Sequence, residues 1–388
     1  MTTLQRPAPT VPDALAALPR VVDLLAARAD ELDREGAFPY QGIEAVHEAG
    51  LLTLTVGTRH GGAGAGLADT VRVLGELGRG DASVALVTAV TLLHHAAQER
   101  TGAWPEPVYR ALLQESRRGP ALVNTLRAEP EADAAALPAC VAGRTGDGWV
   151  LSGRKTRCAG AEALAWMAVW ARTDEKRPRV GTFLVRGDAP GIEIDPTWDQ
   201  LGLRASASHD VVLDGVVVPP HAVVGLHDPT RRPAPDPEGP AAVTTAWRDL
   251  ALSAVHLGVA RAARDWLVGH LRRTGTRPPA PTRREAAVGE IETGLIGAEE
   301  LLTALARRID DGDPAAPGRS APVKLLVTRA ALRAVEQSVA LAGDAGLRRG
   351  GPLERHHRDI LCGRVQPSQE DAVLAAAGRA ALGRPARS

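Results

Sequence analysis

Cysteine is scarce: Cys140, Cys158 and Cys362 are the whole complement, an odd number at no metal-ligand spacing. That argues against a disulfide framework and against a metal cluster, and fits a reduced, cytoplasmic setting. Charge of one sign is missing as well, since 46 acidic and 46 basic residues give a formal net charge of zero. No overall field therefore draws in nucleic acid or an anionic membrane. No apolar run approaches a membrane span, and the first residues lack the apolar core of a secretion signal. Aromatics make up only 3% of the chain; the excess of Ala, Arg, Gly and Pro reflects GC-rich coding and carries no functional information. What is present is length: 388 residues are enough for two or three domains.

The apolar pattern changes period twice. After a loose stretch to about residue 12, Val22, Leu25, Ala29 and Leu32 predict a helix from Pro19 to about Glu35, stopped by Gly36. Further helices are expected over Tyr40 to Ala49, Leu67 to Gly78 and Asp81 to Arg100, with Leu51 to Val56 extended before the Gly61 to Gly66 loop. Between Gly146 and Pro219 the runs become short and β-prone. Trp149 to Leu151 and Ala165 to Ala171 read as a hairpin; Thr182 to Val185, Ile192 to Ile194, Val211 to Leu213 and Val216 to Val218 follow, the last two divided by an Asp214-Gly215 turn. Such spacing predicts a small antiparallel sandwich or barrel. Five prolines from His227 to Pro240 make a stiff linker. Helices then return over about Ala241 to Arg273, Thr282 to Asp310, Ser320 to Ala342, from Leu353, and from Ser368 to Leu382, a four-helix-type bundle. The expected architecture is α+β and multidomain: an N-terminal α-helical domain (1–120), a middle antiparallel β-domain (121–228), a Pro-rich linker (229–240) and a C-terminal helical bundle (241–388).

Along this frame several short stretches fall in a fixed order. They are Phe38-Pro39 with Glu48-Ala49-Gly50-Leu51-Leu52, Gly61-Gly62-Ala63-Gly64, Glu129-Pro130, Asp147 to Lys155, Gly202-Leu203-Arg204-Ala205-Ser206, Val218-Pro219, and Pro352 to Asp359. None is specific alone, but their order and spacing resemble the acyl-CoA dehydrogenase superfamily of flavoproteins. The resemblance implies an enzyme of that fold, a flavin-dependent oxidoreductase with FAD as the usual cofactor. It also implies that the bundle is the interface of a homodimer or homotetramer.

The departures from the family pattern are as informative as the matches. A dehydrogenase removes the α-proton of an acyl thioester with a carboxylate while hydride leaves for flavin N5. Counted from Arg358-Asp359, the place of that base falls on Pro367, and the alternative place used by some members falls near Arg248, beside Asp249. The family's Thr-Glu-Pro-Gly-x-Gly-Ser-Asp stretch reads Ala128-Glu129-Pro130-Glu131-Ala132-Asp133-Ala134, without the hydroxyls and glycines that serve a pyrophosphate. After Lys155 the family's Trp-x-Thr is replaced by Arg157-Cys158-Ala159-Gly160-Ala161, similar to the Phe-Cys-Ser-Gly-Ala of the monooxygenase branch. Arg272-Arg273-Thr274-Gly275 and Thr282 to Glu285 replace the residues that hold the dinucleotide half of FAD.

These departures favour the reduced-flavin monooxygenases of the same fold. Those enzymes take reduced FMN or FADH2 from a flavin reductase and need a dry pocket with a few hydrogen-bond donors. On that reading the cofactor is met by Arg127, Ala128, Glu129, Cys158, Ala159, Gly160 and Arg272. The catalytic candidates are Gln366, aligned with the branch's late histidine, Arg157 at an isoalloxazine carbonyl, His94 one turn beyond Thr91, and Glu370 near the missing base. Cys158 reads as a small buried hydrophobe, and no metal is expected. Two alternatives stay open. One is an acyl-CoA or acyl-carrier dehydrogenase with a base at Asp249 or Glu370, delivering electrons to an electron-transfer flavoprotein. The other is a catalytically silent ligand-binding subunit.

Overall fold

The computed structural model describes residues 9–130, 137–231, 236, 238–274 and 281–383. Glu131 to Ala134 of the altered loop, the linker prolines Pro233, Pro235 and Pro237, and Gly275 to Ala280 lie outside the described residues.

Helix α1 (Val11–Glu35) begins at Val11 rather than Pro19 because Thr10 and Asp13 form a capping box, the Asp13 carboxylate accepting from the Thr10 N–H at 3.0 Å. It carries Pro19 inside it and ends where Gly36 turns left-handed at φ 66°. After α2 (Tyr40–Glu48) the chain coils into a single 3-10 turn at Leu51–Thr53, where an extended run was expected, and so buries Leu51, Leu52 and Leu54 together. Helices α3 (Leu67–Gly80) and α4 (Ala82–Thr101) meet at Asp81, whose carboxylate accepts from the Ser83 and Val84 N–H groups at 2.7 and 3.1 Å. Helix α5 (Glu106–Ser116) follows.

One sheet holds β1 (Leu122–Leu126), β2 (Val141–Thr145), β3 (Gly148–Lys155), β4 (Leu164–Thr173), β5 (Val180–Arg186), β6 (Ile192–Asp195), β7 (Asp210–Val218) and β8 (Val223–His227). Its order is β6-β7-β3-β2-β4-β5-β8, with β1 also on β4. The sheet is mixed rather than wholly antiparallel, because β1 runs parallel to β4, and β2 meets β4 in parallel at Val141 and Ala142. The hairpin expected between the first two runs is absent: β3 pairs with β2 and β7, and β4 with β5. Asp214-Gly215 is a bulge inside β7 instead of a turn, two residues standing opposite Ser152, with Gly215 left-handed at φ 67°.

The bundle comprises α6 (Pro240–Thr274), α7 (Pro281–Asp310), α8 (Ser320–Ala342), α9 (Pro352–Val365) and α10 (Glu370–Ala381). Helix α3 crosses α6 through glycines: a Cβ on Gly258 would stand 2.2 Å from the Gly75 carbonyl oxygen, and one on Gly78 would stand 2.4 Å from that of Val255. Backbone therefore touches backbone, which only glycine permits.

The family-like stretches near residues 202 and 355 turn out to be a fastening. Arg358 reaches both oxygens of Asp33 on α1 at 2.5 and 3.1 Å, Asp359 accepts from the Leu203 N–H at 2.7 Å, and Arg204 donates to the Asp33 carbonyl at 2.9 Å. A Cβ on Gly202 would lie 2.4 Å from the Arg358 carbonyl oxygen. Burial, opposed by Arg355, pushes the Asp359 carboxyl up to about 7. This seam fixes where α9 runs and hence where its exit, Gln366, comes to lie.

Candidate functional site

Two chain exits lie side by side at one end of the sheet. β1 hands over to Arg127 and Ala128, and β3 to the loop from Thr156 to Gly160; the Thr156 N–H donates to the Ala128 carbonyl at 2.9 Å, and Asn124 Nδ2 to the Ala159 carbonyl at 3.0 Å. Under them Lys155 and Glu129 form a buried ion pair at 2.6 Å. Glu129 also accepts from the Ala139 and Cys140 N–H groups at 2.7 and 3.0 Å, and Lys155 donates to the Trp170 carbonyl at 2.5 Å. Burial opposes ionisation of Glu129, yet Lys155 and the two amides hold it below its ordinary range. The Glu129 side chain, expected among the cofactor contacts, is thus spent on the scaffold.

The loop itself is shaped by two left-handed residues, Arg157 (φ 55°) and Gly160 (φ 75°). The Cys158 N–H donates to the His209 carbonyl and that of Gly160 to the Ser206 carbonyl, at 3.0 and 2.8 Å. The N–H groups of Arg157 and Ala159 meet no acceptor among the described residues, and the Arg157 side chain is exposed. Burial drives the Cys158 thiol up to about 12, so it is an inert apolar group.

Helix α4 supplies one wall. His94 Nε2 lies 2.9 Å from Thr125 Oγ1 at the end of β1, and its ring meets Trp104 edge-on at 5.7 Å. Burial lowers its pKa to about 4, so the imidazole is neutral at pH 7. Thr91, one turn earlier, accepts from the Val123 N–H at 3.1 Å and is committed to the sheet. His95 faces away, 3.0 Å from the Tyr109 hydroxyl.

Helix α6 packs beside α4 and carries the remaining charged groups near the β1 exit. The Arg127 guanidinium lies 4.3 Å above the Trp170 ring, and burial together with the neighbouring Arg248 charge lowers its pKa. Arg100, at the end of α4, lies 4.6 Å above Trp247 on α6. Arg248 Nη2 holds Asp249 at 3.1 Å, while its buried Nε has no partner among the described residues. Asp249 is fully buried and also accepts from Ser320 at 3.2 Å and Ser368 at 3.5 Å. Its carboxyl is raised by burial, against the pull of Arg248. Beside it Lys324 donates to the carbonyls of Gln366 and Ser368 at 2.9 and 3.1 Å, and His256 Nε2 lies 3.0 Å from Gln366 Oε1.

The two strand exits and Thr125 thus bring Arg127, Ala128, Arg157, Cys158, Ala159, Gly160 and His94 together at the sheet's end, while Gln366 is held separately by Lys324 and His256 on the bundle side. Two expected residues fall outside. Glu370 is exposed at the start of α10 and pairs with Arg329 at 2.5 Å, and Arg272 is exposed in the last turn of α6. Sequence reasoning passed over His256, Ser320, Lys324 and Ser368. The available signal was a lysine within the apolar stripe Val323, Val327 and Ala331 of α8, one turn after Ser320. Among the described residues no group of His, Cys, Asp and Glu could hold a metal, and no helix is long and apolar enough to cross a membrane.

Three family models match the chain: the acyl-CoA dehydrogenase N-terminal domain over residues 21–102, the middle domain over 128–216 and the C-terminal domain over 250–365. L-evernosamine nitrososynthase of Micromonospora sp. is 31% identical, with 96% of this chain and 90% of that protein aligned. YdbM of Bacillus subtilis, named as an acyl-CoA dehydrogenase, is 31% identical over 92% of this chain and 93% of its own length. The solved structure of KijD3 with FMN and dTDP-3-amino-2,3,6-trideoxy-4-keto-3-methyl-D-glucose superposes with a TM-score of 0.84 at 28% identity, covering 98% of this chain and 96% of that one. With matches spanning all three parts of the fold, the chain belongs to the acyl-CoA dehydrogenase superfamily and is a flavin-dependent oxidoreductase acting on small molecules.

Proposed function

We propose that the protein uses reduced flavin and oxygen to oxygenate the nitrogen of a small amine of the amino-sugar class. The observation that carries this reading is the lack of a usable carboxylate at the α9 exit. Pro367 stands at the family's base position, Asp249 is locked by Arg248, Ser320 and Ser368, and Glu370 is paired on the surface. Proton abstraction from carbon needs a carboxylate with an open lone pair in reach of substrate. Oxygenation needs donors in a dry wall, and donors are what the cleft leaves over. The relatives named as nitrososynthases support the choice of nitrogen.

The residues fit an isoalloxazine that carries one phosphate. The unmatched N–H groups of Arg157 and Ala159 suit the acceptor edge of the ring, and Arg127 with Arg248 suits the phosphate. The relative KijD3, solved with FMN, supports FMN over FAD. When bound, reduced flavin supplies the two electrons that split O2, one oxygen atom joining the substrate nitrogen and the other leaving as water. His94, uncharged, holds Thr125 against the β1 end and adds no charge to the pocket. Gln366, its oxygen engaged by His256, has its NH2 left to donate. A separate flavin reductase would supply the electrons. Exposed Ile296, Leu326 and Leu374 on α7, α8 and α10 suit contact with further copies of the chain. Functional borders at 120, 228 and 240 belong to the same proposal.

The similarity to YdbM favours one competing reading, desaturation of an acyl-CoA with Asp249 as base. The test is anaerobic loading with reduced FMN, addition of a nucleotide-linked amino sugar, and an oxygen pulse with product masses recorded. An N-oxygenated sugar is expected. Rapid anaerobic bleaching of oxidised bound flavin by an acyl-CoA, lost in Asp249→Asn, would put the dehydrogenase in its place. Failure to bind flavin at all would leave the silent subunit.

A further inference from the structure

We infer that His256 is a positioning residue for Gln366: it holds the carboxamide oxygen, so that the amide nitrogen is the end offered to a bound ligand. The inference rests on the reading of Gln366 as a cleft residue. His256 sits in α6 with 1% of its surface exposed, and its Nε2 lies 3.0 Å from Gln366 Oε1. An amide oxygen only accepts, so the nitrogen facing it carries the hydrogen. Nδ1 then keeps the lone pair, and no described residue donates to it. The ring cannot swing to another partner. Gly363 of α9 lies flat against it, and a Cβ there would stand 3.1, 3.2 and 3.3 Å from three ring atoms.

The backbone of Gln366 is fixed from the other side. Helix α9 ends at Val365, and Gln366 leaves it extended at ψ 141°. Lys324 Nζ takes the place of a helix cap by donating to the Gln366 and Ser368 carbonyls. With its carbonyl and its side-chain oxygen both held, Gln366 has only donors left over among the described residues, its backbone N–H and its side-chain NH2. A free carboxamide turns over at little cost and would present oxygen as readily as nitrogen. The two ends have opposite effects, because an N–H stabilises negative charge that develops on flavin or oxygen and a carbonyl oxygen opposes it. A ring locked behind the amide thus decides which end the chemistry meets.

The test combines one spectroscopic and one energetic readout. In the ligand-free protein, 15N spectra of the histidine rings should show His256 as the neutral Nε2–H tautomer; the Nδ1–H tautomer would overturn the inference whatever the protein catalyses. His256→Phe keeps the ring volume without the donor, and His256→Gln returns an N–H near the position of Nε2. His256→Phe should weaken anaerobic binding of reduced FMN several-fold and slow product formation by about 10- to 100-fold, the scale of losing the orientation of a reacting neighbour. His256→Gln should recover most of both. In a Gln366→Ala background the effect of His256→Phe should vanish, because residues acting through one another are not additive. Additive losses would show that His256 only packs and would overturn the inference. If Gln366→Ala changes neither flavin binding nor turnover, the cleft reading of Gln366 fails and the positioning role goes with it.

Discussion

The seam between α1, α9 and the loop at Gly202, and the cleft at the β1 exit, use the same materials: arginine, aspartate and backbone amides. They differ in what is left over. At the seam Asp33, Arg358, Asp359 and Arg204 all find partners at 2.5–3.1 Å. In the cleft Arg248 Nε and His256 Nδ1 find none among the described residues, nor do the N–H groups of Arg157 and Ala159. An unmatched buried polar group costs about 1–3 kcal/mol. A matched set is therefore read as construction, and the unmatched Arg248 Nε, with the open N–H groups of Arg157 and Ala159, as donors left for a ligand; His256 Nδ1 is an unmatched acceptor, and α9 carries an unmatched buried ring nitrogen of its own at His356. The Lys155–Glu129 pair belongs to the matched kind although it lies under the cleft.

If that division is right, substitutions in matched sets should cost folding and those in the cleft should cost turnover. Lys155→Met should be the heaviest, since it strands a buried carboxylate; about 3–5 kcal/mol should disappear from the denaturant midpoint analysis. Gln366→Ala should lower product formation by about 100-fold while shifting stability by no more than about 0.5 kcal/mol. A large stability loss there would move Gln366 to the matched side. Acid should act on the folded state as a whole. The pKa values of His94 and His256 are held at about 4 and that of His95 at about 3, all by burial. Between about pH 6.5 and 4 the unfolded chain takes up protons that these rings refuse, so stability falls with falling pH by up to about 1.4 kcal/mol per unit for each of them. Asp359, whose folded value is raised to about 7, works the other way, as do Asp81 and Asp249, whose carboxyls burial also raises, while buried His356 adds to the histidine side. Urea titrations across that range would expose the net slope, and ring resonances of His94, His95 or His256 that titrate near pH 6.5 in the folded protein would contradict the buried neutral rings. Arg157→Ala should cost roughly tenfold in turnover, in line with the loss of one exposed charged contact, and leave the melting curve in place. Glu370→Gln should do least, about 0–1 kcal/mol and no change in turnover, because its ion pair is half exposed.

Periodicity carried most of the helices, since a 3.6-residue repeat is a local property. It missed the start of α1, where the Thr10–Asp13 box outweighed the proline expected to open the helix. Strands fared worse. β1 is five residues long and pairs in parallel with β4, a partner some forty positions away, so nothing within its own run announces it. The Asp214-Gly215 pair reads as a turn in isolation and is a bulge only because Ser152 lies opposite. At the site, the match to the family pattern located the loop from Arg157 to Gly160. It gave no hint that Glu129 is bound to Lys155, because that pairing exists only after the two strand exits are brought together. His256 and Lys324 were illegible for the same reason: each is a single polar residue in an apolar helix face, and its partner lies on another helix.

The glycine crossing of α3 and α6 works as a pin without play. Helices separated by side chains can slide by a rotamer change, but here the carbonyl of Gly75 and the Cα of Gly258 leave no room for one. Helices α4 and α6 are both indexed to that pin. Asp81, which starts α4 and so sets His94, directly follows α3, and His256 precedes Gly258 by two positions. Sliding of α3 along α6 is therefore closed as a way to admit a flavin or substrate. The stacked guanidinium groups, Arg100 on Trp247 and Arg127 on Trp170, depend on side-chain rotamers alone and can shift without moving that pin.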